Sequence, residues 1–458
     1  WSLCGGQHAA LSSLWVTAGW KHRFLGWKGH TTVEAFYDEK WHYFDTFLKF
    51  YCWRPEPNAP GGRTVASQKD IADNPDLTSS GTFGVGLRTA APIALAGLAG
   101  LVAERSGTVN IGLEGMMVMG TIFAGWWGWE YGPWMALLGG IIGGMLGGLL
   151  MSLATTTFGV NHIVAGVAIN LIAPGVARFM ASELFLGVQG GSVTTSPGNR
   201  GEIGAFTVPF LSGGDLFGWQ TPDVLGWFED TGWFVIADAA GFAKGMTTAV
   251  TWDVVITMGL FFGIAYLMWH MRLGLRLRFA GERPSAADSL GVSVHKMRWI
   301  GMAMSGALAG MGGAVLVLFS NRYQENQVAG RGFLGLATMI FGNWMPAGTA
   351  MGAGLFGYAQ GITLRTNPGD LVRTLLLAAA IGLILLVVWM VVQQNYAPAG
   401  TVTVFAVIAM WAYLAAESPN NQLVFITPYV VTLIAVSIGA QRLRPPAEEG
   451  IPWFKGMQ

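Results

Sequence analysis

The chain has 458 residues, of which 52% are hydrophobic and only 11% charged, with 26 basic residues balancing 26 acidic ones. A soluble domain carries about 25% charged residues, so this chain cannot cover a water-facing surface, and lipid is its expected solvent. The balanced charge gives no reason to expect a nucleic-acid partner, and two cysteines, Cys4 and Cys52, supply neither a disulfide framework nor a metal-ligand spacing, so no metal or cofactor is expected.

The chain opens on Trp1, and its first methionine is Met116, so the start is expected to be processed, truncated or a fragment of a longer reading frame. Residues 1–80 lack a basic segment followed by an apolar core, the mark of a signal peptide. Residues 1–55 mix polar and aromatic side chains. Val33, Ala35 and Tyr37 alternate with Thr32, Glu34 and Phe36, which predicts a strand. Asp38-Glu39-Lys40 predicts a turn, and Trp41 to Phe44 a second strand ending at Asp45. Residues 56–80 are rich in Pro, Gly, Ser, Asp and Asn and are expected to be a linker.

Apolar segments dominate from Gly81 onward. A membrane span needs roughly 20 apolar residues. Candidate spans are 84–102, 111–128, 134–157, 160–182, 251–270, 297–319, 331–363 (broken), 371–393, 401–416 and 423–440. The expected fold class is therefore all-α and polytopic, with about 8–10 spans behind a small truncated α+β fragment. Several spans are short or interrupted by Gly and Pro, as discontinuous helices lining an internal cavity are. The membrane domain is expected over 81–445 and a tail over 446–458.

Basic loop residues set the orientation. The 271–298 loop carries Arg272, Arg276, Arg278, Arg283, Lys296 and Arg298 against only Glu282 and Asp288, which predicts a cytoplasmic position. The 187–248 loop holds six acidic residues, with Arg200 and Lys244 as its basic ones, and is expected outside with residue 80. Arg442, Arg444 and Lys455 predict a cytoplasmic C-terminus.

Within GGIIGGMLGG (139–148), Gly139, Gly143 and Gly147 form one stripe and Gly140, Gly144 and Gly148 another. Both lie near one helix face and predict close approach of another backbone. The run ERSGTVNIGLEGMMVMG (104–120) places Asn110 and Glu114 four residues apart, which predicts a shared helix face. A carboxylate at the start of an apolar span faces a cavity or a partner. Glu114 therefore either lines a solute path or caps a broken helix, paired with Arg105 or a backbone amide. Asn161, His162 and Asn170 follow in FGVNHIVAGVAINLIA. Asn170 falls mid-span, where its amide either bonds across helices or meets a nucleobase or ribose hydroxyl, being donor and acceptor at once. In GERPSAADSLGV, Pro284 starts a short helix that Gly291 ends.

ERSGTVNIGLEGMMVMG, NHIVAGVAIN, GERPSAADSLGV with MSGALAGMGGA, and GRGFLGLATMIFGNWMPAG resemble the membrane permeases of the branched-chain amino acid, ribose and nucleoside ABC importers. The resemblance covers about residues 81–455 and is nearest to the nucleoside and simple-sugar branch. It implies a permease subunit translocating nucleosides or simple sugars, or another small solute such as a branched-chain amino acid, across a bacterial-type cytoplasmic membrane. It implies three partners: an ATP-binding cassette ATPase, a second permease and an extracytoplasmic solute-binding protein. It makes Pro284–Leu290 the helix that couples to the ATPase, within 281–291, with Gly281, Glu282, Pro284, Ala286, Ala287 and Gly291 as candidate coupling residues. It puts Asn110, Glu114, Asn161 and Asn170 near the solute path. The chain carries no G-x-x-x-x-G-K-[ST] loop to cradle ATP itself, so it is expected to be a transport subunit and not an enzyme.

Residues 1–55 resemble something else, the core of transglutaminase-like cysteine hydrolases: Cys-Gly, then H-x-x-x-E and W-x-x-x-D. That resemblance makes Cys4 a nucleophile, His30 its base and Asp45 the orienter. With three residues before Cys4 and few after Asp45 to complete a sheet, the fragment is expected to be an inactive remnant; the alternative is a membrane-tethered hydrolase.

Overall fold

The computed structural model describes residues 21–27, 30–37, 40–44, 53–55, 63–65, 76–363 with short gaps at 217–218, 231–235 and 249, scattered residues between 403 and 411, and 443–454. The chain divides into two compact units, Trp1–Tyr358 with Ile438–Gln458, and Ala359–Ser437. Nearly all of the second lies outside the described residues, as do almost all of the candidate spans 371–393, 401–416 and 423–440.

Near the N-terminus, β1 (Lys21–Trp27), β2 (His30–Tyr37) and β3 (Lys40–Phe44) form an antiparallel meander. Lys21 pairs with Phe36 and Val33 with Phe44. The two strands expected from the alternation are present. β1 was not expected, because KHRFLGW has no period-two pattern and carries a glycine. β4 (Trp53–Pro55) pairs with β5 (Arg63–Val65), so the stretch expected as linker contains a short strand.

The membrane region is helical. α1 (Asp76–Arg105), α2 (Leu113–Tyr131), α3 (Pro133–Ser152, continued by a π-helical turn Leu153–Thr157) and α4 (His162–Phe185) run back and forth. A long connection follows, holding β6 (Ala205–Phe206), β7 (Asp215–Leu216), β8 (Trp219–Gln220), α5 (Val224–Asp230), α6 (Ile236–Thr247) and β9 (Val250–Thr251). Then come α7 (Trp252–His270), α8 (Arg272–Glu282), α9 (Pro284–Ser289), α10 (Val294–Ser320), α11 (Arg331–Phe341) and α12 (Pro346–Thr363). Five described helices, α1, α3, α4, α7 and α10, are long and apolar enough to cross a membrane. The chain is thus a mostly helical, multi-pass membrane protein.

Helix ends differ from the apolar runs where polar residues continue the helix. α1 begins at Asp76, inside the expected linker, because Thr78, Ser79 and Ser80 extend it past the apolar stretch. The 331–363 segment is broken as expected. Asn343 and Trp344 both adopt φ of 53°, which ends α11, and Pro346 opens α12 where its missing N–H does no harm.

Glycine builds the core. On α3, a Cβ at Gly140, Gly144 or Gly148 would meet the backbone of α10 at Gly306 and Gly310, or the Met302 carbonyl. One at Gly139 or Gly143 would meet α2 at Phe123 or Met119, and one at Gly147 would meet Met116. The two stripes therefore serve two different neighbours, and α3 is wedged between α2 and α10. In lipid no hydrophobic drive holds helices together, so this close packing has to.

α7 carries the chain from one end of the bundle to the other. Its start lies with the acidic 187–251 connection, and its end leads into the basic α8–α10 turn. Gly84, on α1, faces the Gly245 carbonyl at the acidic end.

Candidate translocation path and coupling elbow

Residues 106–112 form a tight non-helical turn between α1 and α2. Gly107 sits at φ +90°, open to glycine at little cost. Asn110 is fully buried here, ahead of α2. Its Oδ1 accepts from the Gly112 N–H at 3.1 Å, and its Nδ2 donates to Ser305 Oγ at 2.8 Å on α10. Asn110 and Glu114 therefore do not share a helix face. The short loop hydrogen bond of an Asn side chain competes with helix and delays its start to Leu113.

Glu114, in the first turn of α2, reaches the start of α11. Oε1 accepts from the Gly330 N–H and Oε2 from the Gly332 N–H, both at 2.8 Å. A carboxylate satisfies two otherwise unpaired donors there and complements the helix dipole. Gly332 has no side chain because Glu114 backbone occupies its Cβ position. Glu114 thus caps a broken helix through backbone amides, while Arg105 pairs elsewhere.

Asn170 lies halfway along α4 and clasps the same turn. Its Oδ1 accepts from Gly115 N–H at 2.7 Å, and its Nδ2 donates to the Ile111 carbonyl at 2.9 Å. Asn161 is exposed and caps α4, accepting from the Ile163 and Val164 N–H groups. His162, which is buried, takes the Val109 N–H on Nδ1 at 3.2 Å. Asn110, Glu114 and Asn170 therefore converge on residues 109–115, with α4, α10 and α11 meeting them. Asn170→Ala should destabilise the fold by about 1–2 kcal/mol, the upper range of a cross-helix hydrogen bond. Thermal unfolding in detergent would show it; an unchanged midpoint would free the amide for solute contact instead.

At the basic end, α8 breaks at Arg283 (φ −149°, ψ 78°) and α9 runs only six residues. Gly281 presses on the Arg105 carbonyl and the Gly107 N–H, so the elbow touches the 106–112 turn backbone to backbone. Gly281, Pro284 and Ala287 are buried, Glu282 and Ala286 half-buried, and Gly291 exposed. The outward surface is instead Arg283, Ser285, Ser289 and Leu290. Leu290 is 75% exposed, the most exposed apolar side chain of 281–291. The composition of a six-residue helix gives no face, which is why its outward residues were not separable in the sequence.

Behind the elbow, Arg105 donates to Glu282 Oε1 at 3.2 Å and, through Nε and Nη2, to the Trp344 carbonyl. Trp344 Nε1 donates to Glu104 Oε2 at 2.6 Å. Residues 443–454 are not a free tail. Pro446 and Trp453 are buried, and the segment crosses this network. Burial pushes the Glu449 carboxyl above its ordinary value, and its side chain bonds to that of Glu104.

At the acidic end, a cavity of about 320 Å³ is lined by Arg88, Glu202, Thr251 and Asp253 among others. Of the hydrolase-like positions, Cys4 and Asp45 lie outside the described residues, and His30 opens β2.

A multi-pass bundle with a broken helix and a short helix between two spans fits a transport permease. The chain belongs to the family described as branched-chain amino acid transport system / permease component, which matches residues 83–368. It is 33% identical over 279 residues to the nucleoside ABC transporter permease protein NupC of Lactococcus lactis, covering 58% of this chain and 76% of that one. It is 29% identical over 377 residues to the guanosine ABC transporter permease protein NupQ of Bacillus subtilis, covering 80% and 94%. The putative glucose ABC transporter permease of Haloferax volcanii is 28% identical over 298 residues, covering 63% and 78%. No solved structure matches.

Proposed function

We propose that this chain is the permease subunit of an ATP-driven nucleoside importer. The observation that carries the reading is its likeness, over more than half its length, to permeases named for nucleosides and guanosine. An ATPase subunit docks on α9, a second permease completes the path, and an external binding protein delivers the solute to the acidic end. The basic end with residues 443–454 then faces the cytoplasm, following the excess of Arg and Lys there. Asn110, Glu114 and Asn170 hold the turn that moves when the path opens. Asn161 and His162 stand at the cytoplasmic mouth. Simple sugars are the second reading, favoured by the glucose relative.

The test is uptake of labelled guanosine into liposomes holding this chain, its ATPase and its binding protein. Uptake is expected only with all components and ATP, competed by other nucleosides and not by glucose. ATP-independent uptake by the chain alone would sink the proposal, and competition by glucose would move it to the sugar reading.

A further inference from the structure

We propose that residues 444–454 form a strap that locks the α8–α9 elbow and the 106–112 turn into one rigid body, so that a push on α9 arrives at Asn110 and Glu114. The inference deepens the coupling reading of α9 and rests on it.

The elbow alone is poorly built to transmit force. It bends at Arg283, and beyond the Arg105–Glu282 ion pair its contact with the 106–112 turn is the backbone of Gly281 against that of Gly107. Neither glycine has a side chain to interlock with the other. The strap adds a direct tie between the two glycines. The Glu448 N–H donates to the Gly281 carbonyl at 3.1 Å, and the Gly450 N–H donates to the Gly107 carbonyl at 3.2 Å. These donors are two residues apart in the turn 447–450, where the Glu449 N–H also donates to the Pro446 carbonyl at 3.3 Å, so one compact segment holds both glycines. Gly450 achieves this at φ +75°, a conformation other residues adopt with strain.

Three further contacts tie the strap to its surroundings. The Ala447 N–H donates to Glu282 Oε2 at 3.2 Å, at the last residue of α8. The Arg444 N–H donates to Asn343 Oδ1 at 2.7 Å, in the break between α11 and α12. Arg298, at the base of α10 and only 2% exposed, donates through Nη1 to the Ile451 carbonyl at 2.8 Å. Among the described residues that is the one hydrogen bond the Arg298 side chain makes. A buried guanidinium that lost it would be left without an acceptor, so the strap is held in place rather than resting on the surface. Trp453 packs edge-on against His295, 5.3 Å between ring centres.

The route that results is short. Gly107 is three residues from Asn110, whose amide reaches α10, and Val109 bonds to His162 at the start of α4. Force on α9 passes to Gly281, across the strap to Gly107, and into the turn where the polar residues converge.

The experiment uses the complete permease–ATPase–binding protein complex in liposomes. Glu448→Pro removes the strap's donor to Gly281 and leaves every side chain of the elbow in place. Uptake per ATP hydrolysed is expected to fall about tenfold, the equivalent of roughly one lost hydrogen bond. The ATPase should still co-purify and still hydrolyse ATP. If uptake and hydrolysis fall in proportion, the strap is a scaffold only and the proposal is overturned. Should the proline chain fail to accumulate, Asn343→Cys with Arg444→Cys, in a Cys4→Ser, Cys52→Ser background, decides the matter. The oxidised cross-link fixes the strap to the α11–α12 break without touching its bonds to Gly281 and Gly107, so uptake should persist. Loss on oxidation with recovery in reductant would mean that the strap must release, and would overturn the proposal. Leu290→Asp separates this from the α9 reading, because it loses ATPase co-purification, which the strap variants keep.

Discussion

Leu290→Asp should abolish ATP-coupled uptake while leaving the permease folded. Leu290 projects from the end of α9, 75% exposed, and is not part of the core formed by the described residues. Its backbone N–H is already taken by the Ala286 and Ala287 carbonyls at 3.2 Å, so the helix end survives the change. An exposed leucine on a six-residue helix is an anchor for a partner's groove, and the anchor of an interface carries at least about 2 kcal/mol. That is roughly thirtyfold in docking affinity. Aspartate adds a charge that an apolar groove desolvates, which deepens the loss. Ala287→Arg, three residues earlier, should behave differently. Ala287 is 0% exposed and sits under α9, so arginine forces the elbow open and lowers accumulation of the protein itself. The measurement is ATPase co-purification and ATP-driven uptake beside the thermal midpoint. A Leu290→Asp chain with an unshifted midpoint and full uptake would remove α9 from the coupling interface.

The contrast between Leu290 and Ala287 shows where the sequence is legible. Pro284, Gly291 and the six basic residues of 271–298 announce a short helix at a basic end, because proline, glycine and charge act locally. Which side of that helix meets a partner depends on how α8 bends at Arg283, and no spacing encodes that bend. Glu114 is a similar case. A carboxylate at the start of an apolar run demands a partner, and the pattern allowed a backbone amide. That the amides belong to Gly330 and Gly332, from a helix far along the chain, is a matter of tertiary packing. Asn110 misled, because a spacing of four implies a shared face only if the helix has begun, and the Asn110 side chain itself holds the turn open. The strap was hidden altogether. Residues 446–454 hold two prolines, a glycine and two glutamates among a few apolar side chains, with no periodicity to announce packing. They bind through backbone N–H groups, which every sequence has.

The glycine seam supports the other large expected effect. Gly310→Val should be close to non-folding, and even Gly310→Ala should cost about 3 kcal/mol, the upper part of the usual range for overpacking. At this one position α10 meets two helices. A Cβ on Gly310 would run into the Gly140 carbonyl and the backbone of Gly144 on α3. The reverse approach from α2 is equally close, since a Cβ on Gly120 would meet Gly310 backbone. Flexible side chains could yield, but these are main-chain atoms in the middle of three helices, so the helices themselves must separate. In lipid the seam is what holds them, and separation opens voids along its whole length. Gly263→Ala is the matched control. Gly259 and Gly263 on α7 have the same four-residue spacing, yet no described atom lies within 4 Å of a Cβ at either. Alanine is the better helix former by up to about 1 kcal/mol, so that variant should be neutral or slightly stabilised. Thermal unfolding of both variants in detergent reads the difference. Equal midpoints would mean that the α3–α10 seam is looser than its backbone contacts require, and that small residues there reflect something other than packing.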